Sequence, residues 1–424
     1  MTFDSCFHPA HTLASDTVPA RLAIGEKTKI MGHKPLFGRL QLVALFLALS
    51  SAALASTWYV NGVDGNNDNN CRSPQTACKT ISHAISLAAS GDSIVIASAI
   101  YKEILTINSS LKLIGAGAST TIVDGIESGG NTVVYVRNSD THVALSKLTI
   151  RNGGAGILNS GTLAADESTI SGNSIAGGIE NVGTMTLNRS TVNGNTTEYA
   201  YYSAAGGIYN SGTLSVDNST ISRNVVEGNY ACGGGIYNSG TLTITNSTLD
   251  GNQASGVSNS SGGGIDNEGS VVLNNSTLSG NSATAEGNNG YGGGISYGGC
   301  VEDSSYSFTT ILRNSIVANN KGGNCYGQMT SKGYNLSTDD TCHFKSAGDL
   351  NNTDPKLGPL KNNGGPTKTR AELLGSPTID AGNPSGCTDI KGHLLKTDQR
   401  GEPRPGKYKR DKRCDMGAFE RQSD

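Results

Sequence analysis

One motif recurs five times in this chain, and it constrains the fold more than any single residue does. Each copy places an isoleucine eleven residues before a serine, and the clearest copy, GGGIYNSGTLTITNSTLDGN, runs from Gly233 to Asn252. The isoleucines are Ile157, Ile179, Ile208, Ile236 and Ile265, and the serines are Ser168, Ser190, Ser219, Ser247 and Ser276. A fixed internal period of this length predicts a solenoid.

The pattern inside each copy predicts strands. Apolar residues alternate with polar ones, as at Leu242 and Ile244, and no window keeps a helical period. The step from Ile157 to Ile179 is 22 residues, which suits three short strands with tight turns, or one coil of a parallel β-helix. The later steps of 29, 28 and 29 residues place their extra residues at one corner, so we expect loops that project on one side.

Two columns of asparagine support this interpretation. Stacked asparagines at turns can hydrogen-bond their amides from coil to coil. The two columns are Asn159, Asn181, Asn210, Asn238, Asn267 and Asn173, Asn195, Asn224, Asn252, Asn281. Asn-Ser-Thr triplets also recur at Asn218, Asn246 and Asn275, and we interpret them as a by-product of the repeat and not as glycosylation sites.

Charge is distributed unevenly along a chain whose net charge is −3. Between Asn152 and Leu312 the only basic residues are Arg189 and Arg223, against twelve acidic ones. From Lys321 onward there are seventeen basic and thirteen acidic residues. An acidic solenoid lacks the cations that neutralise phosphates, so a nucleic-acid partner is not expected.

The N-terminal region has the pattern of a secretory signal at residues 31–55. A charged start is followed by an apolar core, Leu40 to Leu49, and by the small-residue cleavage site Ala53-Leu54-Ala55. We therefore predict an exported chain that begins at Ser56 and has no membrane-spanning helix. Residues 1–30 precede a complete signal, so we interpret them as a non-native upstream extension, with translation starting at Met31.

Cysteine usage agrees with export. Without Cys6 the chain has eight cysteines, an even number that suits an oxidising compartment. Proximity in sequence predicts three local disulfides and leaves one long-range pair. The predicted pairs are Cys71–Cys78, Cys325–Cys342, Cys387–Cys414 and Cys232–Cys300.

The exported chain divides into three parts by composition. Residues 56–150 start the solenoid, with a predicted helix over Thr80–Ala89 that covers its first coil, because an open solenoid end is an exposed sheet edge. Residues 151–320 are the regular repeats. Residues 321–424 contain more proline and more charge and no repeat, which predicts a small C-terminal domain.

Several motifs resemble known families. Gly91-Asp92-Ser93-Ile94-Val95-Ile96 and Leu111-x-Leu113-Ile114-Gly115-Ala116-Gly117 resemble the opening of secreted right-handed β-helix proteins of the pectin-lyase-like superfamily. The Gly-Gly-Gly-Ile copies resemble repeats of bacterial polymorphic outer-membrane-type proteins. The resemblance implies an all-β, right-handed parallel β-helix with three strands per coil.

The C-terminal part carries the sharpest resemblance. Gly375-Ser376-Pro377-x-Ile379-Asp380-Ala381-Gly382, Asp398-Gln399-Arg400-Gly401-x-Pro403-Arg404 and Cys414-Asp415-Met416-Gly417-Ala418-Phe419-Glu420 resemble the choice-of-anchor domain of bacterial surface proteins. This implies export and association with a cell surface or outer membrane through residues 321–424. It implies no reaction.

Candidate catalytic carboxylates are few. Glycoside hydrolysis needs two carboxyl groups about 5–5.5 Å apart for retention or about 6.5–9.5 Å apart for inversion. Asp166 and Asp217 share one repeat position two coils apart, which is roughly 10 Å at the inter-strand spacing. They are the best acid pair in the repeats, and the competing interpretation is two solvated turn residues. No metal site is predicted, and calcium is expected only if the chain is a lyase.

Tyrosines predict a binding surface instead. Tyr209 and Tyr237 are expected to stand outward on adjacent coils, where aromatic rings can stack on sugars or anchor a protein. The inserted segments add Tyr199, Tyr201, Tyr202, Tyr230 and Tyr291. The alternative is that these tyrosines only stabilise the sheet as cross-strand pairs.

The residues favour a non-catalytic function for an exported bacterial protein. We expect adhesion, a structural role or glycan binding at a cell surface, with a polysaccharide or surface component as partner. The alternative function is a polysaccharide lyase or glycoside hydrolase acting on an acidic polysaccharide.

Overall fold

The computed structural model describes residues 55–127, 129–200, 205–286, 290–298, 308–406 and 413–423, with the backbone alone at residues 199 and 200. Within them the chain coils as a right-handed parallel β-helix, as predicted, with three long parallel sheets. The predicted upstream extension and the signal peptide up to residue 54 lie outside the described residues.

Three parallel sheets, named A, B and C below, form the walls of the β-helix. Within each regular coil the chain contributes a strand to sheet C, then to sheet A and then to sheet B. Sheet A contains Thr57–Val60, Ser93–Ile96, Leu111–Gly115, His142–Ser146, Thr162–Asp166, Thr184–Asn188, Thr213–Asp217, Thr241–Thr245, Ser270–Asn274, Thr309–Arg313 and Thr330–Ser331. Sheet B contains Ala99–Tyr101, Thr121–Asp124, Thr149–Arg151, Thr169–Ser171, Thr191–Asn193, Thr220–Ser222, Thr248–Asp250, Thr277–Ser279, Ile316–Ala318 and Leu336–Ser337. Sheet C contains Leu105–Ile107, Thr132–Val136, Ala155–Asn159, Ile179–Asn181, Ile208–Asn210, Ile236–Asn238, Ile265–Asn267, Ile295–Tyr297 and Cys325–Tyr326.

Alternation along each strand decides which side chains enter the core. In Thr162–Asp166, Leu163 and Ala165 are buried while the residues between them face outward. The repeat isoleucines pair in register, Ile157 with Ile179 and onward, so that one column of identical side chains fills the core. The predicted stacking of the repeat is therefore confirmed.

Both predicted asparagine ladders are present and buried. In each column the first four side-chain amides donate to the carbonyl oxygen of the asparagine one coil further on, at 2.7–2.8 Å in the first column and 2.8–2.9 Å in the second. Asn195 also donates to the backbone oxygen of Ile170 at 3.1 Å. Because a buried amide without partners is costly, this double satisfaction ties each coil to the next.

The inserted segments form a fourth parallel sheet, which we call sheet D. It contains Thr196–Ala200, Val225–Cys232, Gln253–Ser261, Ser282–Ala285 and Gly290–Tyr291. Sequence analysis predicted projecting loops at this corner but not that they pair. Val226, Ala231 and Ala254 form a small apolar cluster of their own there.

Both ends of the coil are covered. At the N-terminal end a helix spans Ile81–Leu87, inside the predicted range, and buries Ile81 and Ala84. Its first backbone N–H groups donate to the Glu103 carboxylate at 2.8–2.9 Å, which satisfies groups that the helix itself cannot. A short 3-10 helix at Pro74–Thr76 precedes it. At the other end Phe344 is buried against the core beside Cys325 and Cys342.

The chain then returns along the corner between sheets A and B. The described residues from 355 to 423, here called the covering segment, include an antiparallel hairpin of Leu357–Lys361 and Thr369–Glu372. Asn275 donates its amide to Thr388 O at 3.0 Å, and Asn314 donates to Asp415 O at 2.9 Å. The covering segment therefore packs on the coils that begin near Thr213.

Three predicted disulfides are confirmed: Cys71–Cys78, Cys325–Cys342 and Cys387–Cys414. Cys232 is also disulfide-bonded, and its predicted partner, Cys300, lies outside the described residues. Disulfides of this number suit a protein that folds in an oxidising compartment. No helix among the described residues has the length and apolarity that a membrane crossing requires.

Candidate functional site

The predicted tyrosine column lies on the outer face of sheet C. Tyr209 and Tyr237 are directly paired in register, and their rings stack with centroids 5.2 Å apart. Tyr237 is not exposed as predicted, since only 3 % of its surface is accessible. Ala205 and Cys232, at the ends of two inserted segments, pack against it. Sequence analysis missed this because it treated the inserted segments as loops that leave the sheet open.

Two carboxyl groups, those of Glu180 and Glu268, act on the stacked rings. The Tyr237 hydroxyl donates to Glu268, whose pKa is raised by burial and partly restored by this hydrogen bond. Burial also raises the pKa of Glu180 and of the Tyr209 phenol. Both tyrosines are thus half or fully enclosed, which leaves little ring surface for a ligand. The Tyr199 side chain and all of Tyr201 and Tyr202 lie outside the described residues, so their predicted binding role stays a prediction.

Asp166 and Asp217 occupy one column of sheet A, with Asn188 between them. Asp166 accepts hydrogen bonds from Asn188 and Arg189, both at 2.7 Å. Asp217 accepts one from Ser215 at 2.7 Å. The structure therefore does not join the two aspartates in one site, and it gives them different surroundings.

Asp217 opens into a cleft of about 390 Å³ between sheet A and the covering segment. We call it the Asp217 cleft. It is lined by Ser215, Asp217, Asn218, Thr243, Thr245, Asn246, Asp389, Ile390, Lys391, His393 and Leu395. One wall is rigid sheet, and the other is a loop anchored by the disulfide of Cys387.

Asp389 organises that loop. Its carboxylate accepts the backbone N–H groups of Lys391 at 2.8 Å and His393 at 2.9 Å. The other carboxylate oxygen lies 3.0 Å from His393 Nδ1, which fixes the orientation of the imidazole. Burial acts to raise the pKa of Asp389, but the hydrogen bonds from His393 and Lys391 outweigh it and lower that pKa below its ordinary value.

The pKa values of the two aspartates of the cleft are shifted in opposite directions. Burial raises the pKa of Asp217, against hydrogen bonds from Ser215 and Thr245, and the negative charge of Asp389 raises it further. A carboxyl group whose pKa is raised thus shares a cleft with one whose pKa is lowered. Lys391 supplies hydrogen-bond donors and the two carboxyl groups supply acceptors, which suits a polyhydroxylated ligand.

Sequence analysis found Asp217 but missed Asp389, Lys391 and His393. The residues of sheet A that face His393 across the cleft lie far from it in the sequence. One local signal was available. Asp389 and His393 are four residues apart just after Cys387, and a short polar loop beside a disulfide is held in place by that bond.

One group of side chains has the residue types of a metal site. In the described part of the chain, the group of three ligand-type side chains whose donor atoms lie close together is Cys71, Cys78 and His83. Its two cysteines form a disulfide, so neither offers the thiolate that a metal needs. This group is consequently not a metal site.

Comparisons with known proteins give the following similarities. No family model matches this chain, and no curated protein matches it. A pectate lyase structure is 17 % identical, with a TM-score of 0.44, covering 86 % of this chain and 96 % of its own. A pectin methylesterase from Aspergillus niger is 14 % identical, with a TM-score of 0.38, covering 70 % of this chain and 92 % of its own.

A lacto-N-biosidase from Eubacterium ramulus is 10 % identical, with a TM-score of 0.40, covering 70 % of this chain and 66 % of its own. The fold is defined by the three long parallel sheets of the chain itself.

Proposed function

We propose that this is an exported, non-catalytic glycan-binding protein whose ligand occupies the Asp217 cleft. The observation that carries the proposal is the convergence of Asp217, Asp389, Lys391 and His393 on one cleft. These groups reach it from sequence regions about 170 residues apart and are held by a sheet on one side and a disulfide-anchored loop on the other.

The composition of the cleft supports a saccharide ligand. A sugar presents hydroxyl groups that both donate and accept, and ring faces that are apolar. Asp217 and Ser215 can serve the hydroxyl groups, and Ile390 and Leu395 offer apolar surface beside them. Ile390 is 48 % exposed, which is consistent with a surface that a ligand covers.

Export and surface association are part of the proposal. The disulfides support folding outside a reducing compartment. The resemblance of residues 321–424 to a choice-of-anchor domain supports a location at the cell surface. In this proposal the covering segment completes the binding cleft and also connects the protein to the cell surface.

The test is calorimetric titration of the oxidised protein with neutral and acidic oligosaccharides. We expect His393→Ala and Asp217→Asn to weaken binding about tenfold or more, equivalent to about 1.4 kcal/mol. Asp166→Asn is the matched control, because it lies in the same column of sheet A but outside the cleft. Binding that survives both cleft variants, or no binding to any glycan, would refute the proposal.

A second function, hydrolysis of a polysaccharide at the same cleft, is favoured by the opposite pKa displacements of Asp217 and Asp389. Glycosidases use two carboxyl groups whose surroundings shift their pKa values apart. Release of new reducing ends by the wild-type protein, abolished in Asp217→Asn without loss of binding, would establish it. Absence of new ends with binding retained would establish the non-catalytic function.

A further inference from the structure

Arg223 is exceptional within one column of the repeats. It occupies the corner position directly after each sheet B strand, where the backbone is left-handed in every coil from 152 to 319. That column reads Asn152, Gly172, Gly194, Arg223, Gly251, Gly280 and Asn319, with φ between 54° and 67°. Glycine and asparagine adopt this conformation readily, whereas an arginine is strained there.

The strain is not explained by a need for bulk in the fold. At Gly194, one coil earlier, an added Cβ would meet no atom within 4 Å, so the column uses glycine for its φ and not for lack of space. Glycine would therefore serve the fold at position 223 as it does at 194 and 251. Arg189 has a comparable φ of 47° at another corner, so charge and surroundings, and not backbone strain, distinguish Arg223.

Arg223 is also exceptional in its charge. The other basic residue between Asn152 and Leu312, Arg189, lies 2.7 Å from Asp166 and 3.4 Å from Glu167. Arg223 is exposed, and among the described residues no carboxylate lies within salt-bridge distance of its guanidinium. It is therefore a free cation on an acidic solenoid, where pairing would be easy to obtain.

Arg223 lines a second cleft, of about 320 Å³, between sheet B and the covering segment. We call it the Arg223 cleft. Its floor is an in-register ladder of polar side chains that includes Thr169 with Thr191 and Ser171 with Asn193. Its wall carries Lys368, which is exposed and likewise without a carboxylate partner among the described residues.

The wall is fixed by buried hydrogen bonds. Gln399, only 1 % exposed, donates from Nε2 to Thr367 Oγ1 at 2.9 Å and to Lys368 O at 3.1 Å. Thr220 donates to Lys368 O at 2.6 Å. The backbone of Lys368 is therefore held in place before any ligand arrives, while its ammonium group remains free.

We infer that the Arg223 cleft binds an oxyanion carried by a saccharide, a sulfate or carboxylate substituent. Arginine provides a planar fork of donors that matches two oxyanion oxygens, and lysine adds a second positive charge. The hydroxyl and amide ladder beneath them can bond the sugar that bears the charged group. This site is separate from the Asp217 cleft and does not depend on it.

The test uses Arg223→Gly in the full oxidised chain, because this change installs the residue that neighbouring coils use and the fold should persist. A sulfated oligosaccharide, a uronate oligosaccharide and an uncharged one are titrated calorimetrically at low and high salt. We expect the wild-type protein to bind one or both anionic ligands, less tightly at high salt because exposed charges are screened. Arg223→Gly should weaken this binding about tenfold or more, and Lys368→Ala should weaken it less.

One control tests whether the effect is specific to this cleft. Arg189→Ala removes the other basic residue between Asn152 and Leu312 and should leave anion binding unchanged. The ligand that binds identifies the oxyanion as sulfate or carboxylate. The inference is overturned if Arg223→Gly binds anionic ligands as well as the wild type, if Arg189→Ala weakens binding equally, or if neither anionic ligand binds.

Discussion

The coils before Thr213 and the coils after it differ at one corner, although their cores are alike. At the turn from sheet A to sheet B each coil from Lys147 to Asn314 has a residue with left-handed φ, between 47° and 58°. In the uncovered coils these residues are charged: Lys147, Glu167 and Arg189. In the coils under the covering segment they are Asn218, Asn246, Asn275 and Asn314.

The two sets have different partners. Arg189 pairs with Asp166, and Lys147 lies 3.9 Å from Glu167. The corner residues of the uncovered coils therefore form ion pairs that are exposed to water. Asn246 instead donates to Thr397 O at 3.0 Å. Asparagine tolerates the left-handed conformation and also offers a short amide that reaches a backbone carbonyl.

The threonines that follow the asparagines complete the contact. Thr248 donates to Gln399 Oε1 at 2.6 Å, and Thr277 accepts the Ala418 N–H at 3.1 Å. The Asn-Ser-Thr triplet, which sequence analysis interpreted as a by-product of the repeat, is therefore the contact surface for the covering segment. A repeat protein can thus encode where a neighbouring segment docks by changing one corner while leaving its core columns intact.

We expect the largest loss of stability when the side chain with the most hydrogen bonds between the coils and the covering segment, Gln399, is removed. Gln399→Ala removes several buried hydrogen bonds and leaves Thr220 and Thr248 without a partner they now share. We expect the free energy of unfolding to fall by about 3 kcal/mol, measured by urea denaturation. Gln253→Ala, at an exposed glutamine, is the control and should change it by less than about 0.5 kcal/mol. Equal effects would show that covering contributes little to stability.

The asparagine ladder runs through both regions and should not distinguish them. Asn195→Ala and Asn252→Ala each remove a fully buried amide from the ladder. We expect both to lower the free energy of unfolding by about 2 kcal/mol, to a similar extent. Urea denaturation of the two variants side by side decides the matter. A much larger loss at Asn252 would mean that the cores of the two regions differ after all.

The covering segment should respond to pH through Glu372. Burial, and then the charge of Asp415, raises the pKa of Glu372 well above its ordinary value. The folded state therefore holds a proton that the unfolded state releases above about pH 4.5, so stability falls as pH rises from there through the folded pKa. The slope is at most about 1.4 kcal/mol per pH unit.

Glu372→Gln should remove this dependence and raise stability at alkaline pH, because glutamine mimics the protonated form. Urea midpoints of both proteins between about pH 4 and pH 9 test it. Parallel curves for the two proteins would place the pH dependence elsewhere in the chain.

Exchanging corner residues between the two regions should change stability least, and it compares the covered and uncovered corners directly. Asn246→Lys puts an uncovered-type residue under the covering segment, where it loses the bond to Thr397, and we expect a loss of about 1 kcal/mol. Arg189→Asn makes the reverse change in the uncovered region and should be within about 0.5 kcal/mol of neutral, since exposed ion pairs contribute little. Thermal and urea denaturation would show whether the two losses differ in this order.

Sequence analysis predicted the features that repeat. The isoleucine column, the two asparagine ladders, the helix at Ile81–Leu87 and three disulfides follow from periodicity or from proximity along the chain. It failed where residues far apart in sequence meet. His393 reaches the cleft of Asp217 across about 176 positions, and no period links the two.

Sheet D was missed for a related reason. Its strands lie in inserted segments that contain glycines and vary in length, so alternation is weak, and pairing depends on the stacking of the coils beneath. The burial of Tyr237 follows from the same omission, because Ala205 and Cys232 at the ends of those segments are what covers it.

The covering segment also changes how the protein comes apart under load. In a simple solenoid each coil contacts only its neighbours, so unravelling can proceed one coil at a time from an end. The covering segment forms hydrogen bonds with the corner asparagines of coils that are separated by about a hundred residues, and so it links these coils to one another. The pairs are Thr367 with Asn218, Thr388 with Asn275 and Asp415 with Asn314. Pulled from its N-terminal end, the molecule would yield gradually as far as Thr213 and then resist as a single block. The uncovered coils would therefore extend under load before the covered coils do.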